Sequence, residues 1–278
     1  MFVKTFLIRY RHHIIRIMRK IGDYYMENVD IKEVTNVAKL CAQIILENGG
    51  ETYRAEETVS LIGHSLGLET DIIAIPTGIF ITVGQDGGQT NTIIRRIRKR
   101  TVNLSAIHAV NDISRKLVEG QLCIQDALDK LKILHTQKVE KKSRYIISAA
   151  ISSGFFALLL QGSIFDFFVA ALCGIVVQYV FSLIEINDMF NFALSIIGGA
   201  IIASISVSFV TLFQTGNLDK IIIGAMTPLL PGLALTTAIR DAMRGDLLSG
   251  VARAAEALLV AIALAFGVGA VLAIYYSF

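Results

Sequence analysis

Cysteine is scarce in this 278-residue sequence. Cys41, Cys123 and Cys173 stand apart, with no CxxC pair and no histidine at ligand spacing. Zinc and iron–sulfur sites need several thiolates or imidazoles in one coordination sphere, so no metal site is read here. The three read as reduced, buried thiols of the cytosol or the membrane. Charge is scarce too: Asp, Glu, Lys and Arg make up 18% of the chain, against about 25% in ordinary globular domains. Proline occurs only three times. With 54% apolar residues and a mean hydropathy of +0.60, this composition excludes a single water-soluble core, a secreted disulfide scaffold and a disordered chain.

The shortage of charge is confined to one half. Residues 1–144 hold 22 Lys and Arg and 16 Asp and Glu, whereas residues 145–278 hold 4 and 7. After Arg144 come uncharged runs at Tyr145–Phe165, Phe167–Ile184, Met189–Leu218, Ile221–Ile239 and Ala257–Phe278, of 21, 18, 30, 19 and 22 residues. A helix needs ~17–25 mostly apolar residues to cross a bilayer, and a backbone in lipid must satisfy its own hydrogen bonds. The expectation is an α-helical membrane protein with five transmembrane helices over 145–278, preceded by a small cytoplasmic α+β domain over 31–142. Lys138, Lys141, Lys142 and Arg144 abut the first span. Arg240, Arg244 and Arg253 lie between the fourth and fifth, and the opposite loops carry only Lys220. Positive charge favours the inner side, which places the N-terminal domain in the cytoplasm and the C-terminus outside.

Residues 1–30 form a basic N-terminal extension. Lys4, Arg9, Arg11, Arg16, Arg19 and Lys20 precede the first acid, Asp23, and the longest apolar stretch up to Lys20 is three residues. A secretory signal needs an apolar core of ~7–15 residues. The extension is either a basic helix on anionic headgroups or an addition ahead of a translation start at Met26 rather than Met1.

In the N-terminal domain, apolar residues at 34, 37, 38, 41, 44 and 45 predict a helix over Ile31–Asn48. A second helix is expected from about Glu51 to Leu66. Strands follow over Thr70–Ile75, Gly78–Val83 and Thr90–Ile97, separated by turn residues, then helices over Ser105–Glu119 and Ile124–Lys138. The order ααβββαα suggests a small antiparallel sheet packed with helices. Glu51, Tyr53, Arg54 and Glu57 form the densest polar motif. Glu51, Arg54 and Glu57 share a helix face, and either form a polar site or a surface helix with internal ion pairs. His64 reads as structural. Arg95, Arg96, Arg98, Lys99 and Arg100 lack the interleaved aromatics of a nucleic-acid patch and fit anionic headgroups, an anionic partner or a charge-protected edge strand.

The fourth apolar segment carries Thr227, Pro228, Pro231, Gly232, Thr236 and Thr237. Two of the three prolines fall here and remove backbone donors in mid-segment. A break at membrane depth persists only where it is buried in protein or lines a wet cavity, and transporters use such broken helices to bind polar solutes. A passive kink is the alternative. Beyond it lie Arg240, Asp241, Arg244, Asp246, Arg253 and Glu256, which either snorkel at the membrane edge or attract a charged solute. Arg253 and Glu256, three residues apart, can pair on one helix face. Small residues in the third and fifth spans (Gly198, Gly199, Ala200, Ala203, Ser204, Gly267, Gly269) favour close helix packing. No nucleophile elbow, phosphate loop or metal box accompanies these groups, and no catalytic residue or cofactor is assigned.

The run GGETYRAEETV (Gly49–Val59), followed by GLETDIIAIPTGIFITV (Gly67–Val83), resembles the cytoplasmic domain of the threonine/serine exporter family. The tail from Thr227 to Gly269 is similar to that family's membrane signature, and the likeness covers most of residues 33–278. Thr227, Pro228, Pro231 and Gly232 match the membrane motif; Glu51, Arg54 and Glu57 match the head motif. The resemblance implies secondary export of small polar metabolites, driven by an ion gradient. It also implies the larger, five-span subunit of a split form, with a second small membrane subunit supplying further helices. The substrate class stays open between threonine/serine and C4-dicarboxylates such as succinate. The alternative is a membrane-anchored hydrolase using Glu51, Arg54, Glu57 and His64, or a regulatory sensor built on the cytoplasmic domain.

Overall fold

The computed structural model describes residues 30–277 apart from 86–87, 99, 137–141 and 185–190. The basic extension, the question of Met1 or Met26, and Lys138 and Lys141 lie outside the described residues. The chain divides at 137/138 into two compact units.

The N-terminal unit is organised on one helix. α1 (Ile31–Glu47) opens on Asp30, whose carboxylate accepts from the Lys32 amide at 2.8 Å, a cap for one of the free donors of the first turn. The expected stripe is its buried face: Val34, Val37, Ala38, Cys41, Ile44 and Ile45 are all inaccessible. α2 (Thr52–Ser65) buries Ala55, Val59 and Ile62. β1 (Glu69–Ile75), β2 (Gly78–Gly84) and β3 (Thr90–Arg96) form an antiparallel sheet in that order. Side chains alternate faces along a strand. Ile79, Ile81 and Val83 on β2 therefore enter the core, while the registered row Ile73, Phe80 and Ile94 stands exposed on the other face. α3 (Leu104–Val118) and α4 (Ile124–Thr136) complete the unit. α1 touches α2, α3, α4, β2 and β3. Glu47 and Gln43 near its end meet His135 of α4 at 3.0 and 3.2 Å. Burial pushes the Cys41 thiol up to about 12, because the charged form would lose its water. Cys123 departs from the expectation of a buried thiol: it is exposed, beside the Asp126 amide at the start of α4.

Among the described residues the C-terminal unit forms the helices α5 (Lys142–Leu159), α6 (Ile164–Leu183), α7 (Asn191–Phe213), α8 (Leu218–Met226), α9 (Gly232–Met243) and α10 (Leu247–Ser277). Three of them, α6, α7 and α10, are long and apolar enough to cross a membrane, or four if the bent α8–α9 pair counts as one. Among the described residues the remaining apolar helix, over Ser143–Leu159, is shorter than these. The expected first span, Tyr145–Phe165, is cut by a turn in which Gln161 takes a positive φ of 63°. The division between the first two helices falls a few residues before Asp166 rather than at it. Asp166 is the third residue of a capping box with Ser163 at the head of α6, which satisfies two orphan donors reciprocally. α5 keeps 18 residues, about 27 Å of helix against the ~30 Å hydrocarbon layer. The buried Asp166 carboxylate also accepts from the Asn217 amide at 2.8 Å, and Lys220 donates to the Gln161 carbonyl at 2.7 Å. These bonds join the α5–α6 turn to the α7–α8 turn.

α10 starts ten residues before the expected Ala257. Its 31 residues make about 46 Å of helix, more than the hydrocarbon layer requires, so the first turns carry charge without placing it at mid-bilayer. α10 packs on α7 at close range. A methyl group on Gly267 would run into the Ile196 carbonyl and come within 2.9 Å of the Ala200 nitrogen, and one on Gly199 would strike the Leu264 carbonyl. Without hydrophobic gain between helices in lipid, such backbone approach supplies the packing energy. Gly267→Ala should therefore destabilise the detergent-solubilised protein by about 1–3 kcal/mol, whereas Gly269→Ala, which meets nothing within 4 Å, should leave the thermal unfolding midpoint unchanged.

Candidate functional site

The helix that Ile221–Ile239 would make is interrupted where proline withholds its donors. α8 ends in a 3-10 turn over Thr227–Leu229, Leu230 is extended (ψ 137°), and α9 restarts at Gly232, with 54° between the two parts. Three threonines flank the break, and each donates to a carbonyl of its own helix. Thr227 Oγ1 reaches Ile223 O at 2.7 Å, Thr236 reaches Leu233 O at 2.9 Å, and Thr237 reaches the same oxygen at 2.8 Å. These hydroxyls keep only their acceptor capacity for a solute. Thr236 is exposed and Thr237 buried. Gly232 has open space where a side chain would go.

The charged corner beyond is tighter. α9 ends at Met243, Gly245 turns the chain at φ +92°, and Asp246 opens α10 by accepting from the Ser249 amide at 3.3 Å. Gly250 lets α10 close on α9, its missing side chain facing Ala238 O and Ala242 at 2.9 Å. Between the two helices lie Thr237 and Asp241 of α9 and Ser249 and Arg253 of α10, all buried. Each pair is four residues apart, so each occupies one helix face. Arg253 Nε stands 3.1 Å from Asp241 Oδ2, with side-chain exposures of 7% and 0%. The approach is ionic rather than a well-aligned hydrogen bond. Ser249 Oγ is fully buried and has no hydrogen-bond partner among the described residues.

Of the residues expected to form a solute site, the fold thus groups Thr237, Asp241 and Arg253. Thr227, Pro228, Pro231 and Gly232 form the break at the other end of α9. Arg240, Arg244 and Glu256 are exposed, and Asp246 serves as the helix cap. Arg253 lies within α10 rather than in a loop, and reaches across to Asp241. Ser249 was not among the expected residues. Its one signal in the sequence is the four-residue spacing to Arg253, which carries weight only once α10 is known to begin before Ala257.

In the head motif, Glu51 stands at the N-cap position of α2, and Arg54 Nε meets Glu51 Oε2 at 3.1 Å. Hydrogen bonding to Tyr53, with Glu51 and Glu57 nearby, raises the Arg54 guanidinium above its ordinary value against a partial burial effect. Glu57 is exposed. Glu56, which the helix-face pattern passes over, accepts from the Ala74 amide at 2.9 Å and ties α2 to the edge strand β1. Glu51 and His64 sit at opposite ends of α2, about 20 Å apart along the helix, so no hydrolytic site is assembled from them. Among the described residues no group of three His, Cys, Asp or Glu could hold a metal ion.

A family model described as "Putative threonine/serine exporter" matches residues 36–275. The chain belongs to the threonine/serine exporter family. Two relatives share its length. The "Probable succinate transporter subunit YjjP" of Klebsiella aerogenes is 23% identical over 242 residues, 85% of this chain and 92% of the relative. The protein of the same name in Escherichia coli K12 is 22% identical over 256 residues, 90% of this chain and 98% of the relative. No solved structure matches. Family membership and the apolar helices make this exporter-family chain a membrane protein and part of a transport system.

The two ion pairs should differ in weight. Arg253→Ala removes the cation 3.1 Å from the buried Asp241 carboxylate and should destabilise the protein by about 3–5 kcal/mol. Arg54→Ala, at a half-exposed pair, should cost less than about 1 kcal/mol. Thermal unfolding of both variants in one detergent decides this.

Proposed function

We propose that the chain is the larger subunit of a secondary exporter that moves small polar metabolites, threonine and serine or C4-dicarboxylates such as succinate, out of the cytoplasm. α5, α6, α7, the α8–α9 pair and α10 serve as five spans of the cell's inner membrane, with α5 short. The N-terminal unit is cytoplasmic and the C-terminus faces out, because cations flank that end of the spans. The chain performs no catalysis and needs no cofactor. A second small membrane subunit completes the path, as the word "subunit" in the relatives' names supports for them.

One observation carries this. A helix broken by Pro228 and Pro231 leads directly into a buried, charged corner. In lipid, irregular backbone persists only where protein or water satisfies it, and a buried ion pair contributes little net stability, so both features point to a solute path.

Pro231→Ala and Arg240→Ala should each abolish efflux of threonine, serine and succinate from loaded cells while the protein stays in the membrane. Normal efflux in both variants would refute the assignment. The chain reconstituted alone should show no transport of these solutes, and transport should appear when its partner subunit is added.

A further inference from the structure

We infer that the ribbon joining β3 to α3 docks the N-terminal unit on anionic lipid headgroups. The inference uses only that the chain is a membrane protein, and it stands whichever solute is exported. Between Asp86 and Asp112 the sequence has no acid, while positions 95–100 hold five cations. The ribbon is held by its backbone. The Ile97 amide donates to Thr77 O at 3.0 Å, the Thr101 amide to Glu47 O at 2.7 Å and the Asn103 amide to Asn48 O at 3.2 Å. Ile97 is buried, and Asn103 caps α3 by accepting from the Ala106 amide at 3.2 Å. Gly49, at φ +84°, leaves room for the Thr101 carbonyl, which a Cβ there would approach to 3.2 Å. Arg96, Arg98, Arg100, Val102 and Leu104 alternate with these positions, and all five are exposed. Three guanidinium groups are thus followed, at a two-residue spacing, by two aliphatic side chains.

The charge calls for an anion. Arg95, Arg96 and Arg98 are exposed and have no acid partner among the described residues. Arg95 lies close enough to Lys39 of α1 to act on it: burial first, and the Arg95 charge second, lower the Lys39 ammonium below its ordinary range. Lys39 donates to Asn36 Oδ1 at 2.9 Å rather than to a carboxylate. Cations gathered in this way create a positive potential that draws anions. Protection of an edge strand does not account for the pattern, because β3 ends at Arg96 and the cations continue past it. Val102 and Leu104, exposed by 58% and 62%, decide the class of anion. An interfacial surface joins cations that meet phosphates to apolar side chains that enter the acyl boundary. Single-stranded nucleic acid is instead stacked on aromatic rings, and none occurs from Arg95 to Leu104.

The ribbon also sits at the end of the unit from which the chain leaves. Glu47, whose carbonyl takes the Thr101 amide, meets His135 in the last turn of α4 at 3.0 Å. α4 ends at Thr136, six residues before α5 opens at Lys142. Such a link spans at most about 20 Å, a tether short enough for this end of the unit to reach headgroups.

The test places single full-length chains in lipid nanodiscs. A spin label on Val102→Cys, in a Cys123→Ser background, reports collisions with a water-soluble nickel chelate; the other two cysteines are buried. In discs of phosphatidylethanolamine with phosphatidylglycerol the label should be shielded, and in discs of phosphatidylcholine it should be open to the chelate. Arg96→Gln with Arg98→Gln removes two exposed cations that have no acid partner among the described residues, so the thermal unfolding midpoint should hold. Docking should weaken about thirtyfold, roughly fivefold for each cation near an anionic surface. The label should then be as open in the anionic discs as in the neutral ones. A label equally open in both discs with the arginines in place would overturn the inference. Shielding that persists in phosphatidylcholine, or that survives the double substitution, would mean that a protein surface covers the ribbon, and would overturn it too. Each of these outcomes leaves the exporter assignment untouched, since no transport is measured.

Discussion

Proline has no backbone N–H, and inside a bilayer there is no water to take up the carbonyl it leaves behind. Pro228 and Pro231 impose that constraint on the C-terminal unit. The segment continues by bending, and the bend divides it into α8 and α9 at 54°. α8 stays with the bundle, packing Ile221, Ile222 and Ala225 into the core formed with α5, α6 and α7. α9 departs from it and packs chiefly on α10. A burial of charge that would be costly in the middle of the bundle is tolerated there, because the first turns of α10 carry Arg253 ahead of the stretch that fills the hydrocarbon.

The head was legible almost residue by residue, since its elements follow from local rules. The α1 stripe, the turn residues between the strands and the alternation in β2 each specify structure within a few residues. The spans were legible as apolar runs, but their boundaries were not. A rule that treats every charge as a divider misplaces Asp166, whose carboxylate is satisfied by backbone amides, and it starts α10 too late, because Arg253 finds a counter-charge on another helix. Neither compensation is local. Cys123 shows the same limit in the head: nothing in its neighbourhood of sequence separates it from the two buried thiols.

The candidate site was half legible. Composition and spacing pointed to the proline break and the charges after it, and Thr237, Asp241 and Arg253 were among the residues named. Which of a dozen neighbours meet depends on the close approach of α9 and α10 at Gly250. That approach is a property of two helix faces rather than of one run of residues. The head motif shows the converse. Glu51 and Arg54 do pair as their spacing allows, yet the contact that fastens α2 to the sheet belongs to Glu56.

The three thiols occupy sharply different surroundings. Cys41 and Cys173 are sealed in the cores of the two units, and the acidity of Cys41 is suppressed by its lack of water. Cys123 alone faces solvent, on the short link before α4. Nature has thus left this chain with a single addressable sulfur, a ready attachment point for a reporter dye or spin probe on the head without any engineering of the membrane-embedded half.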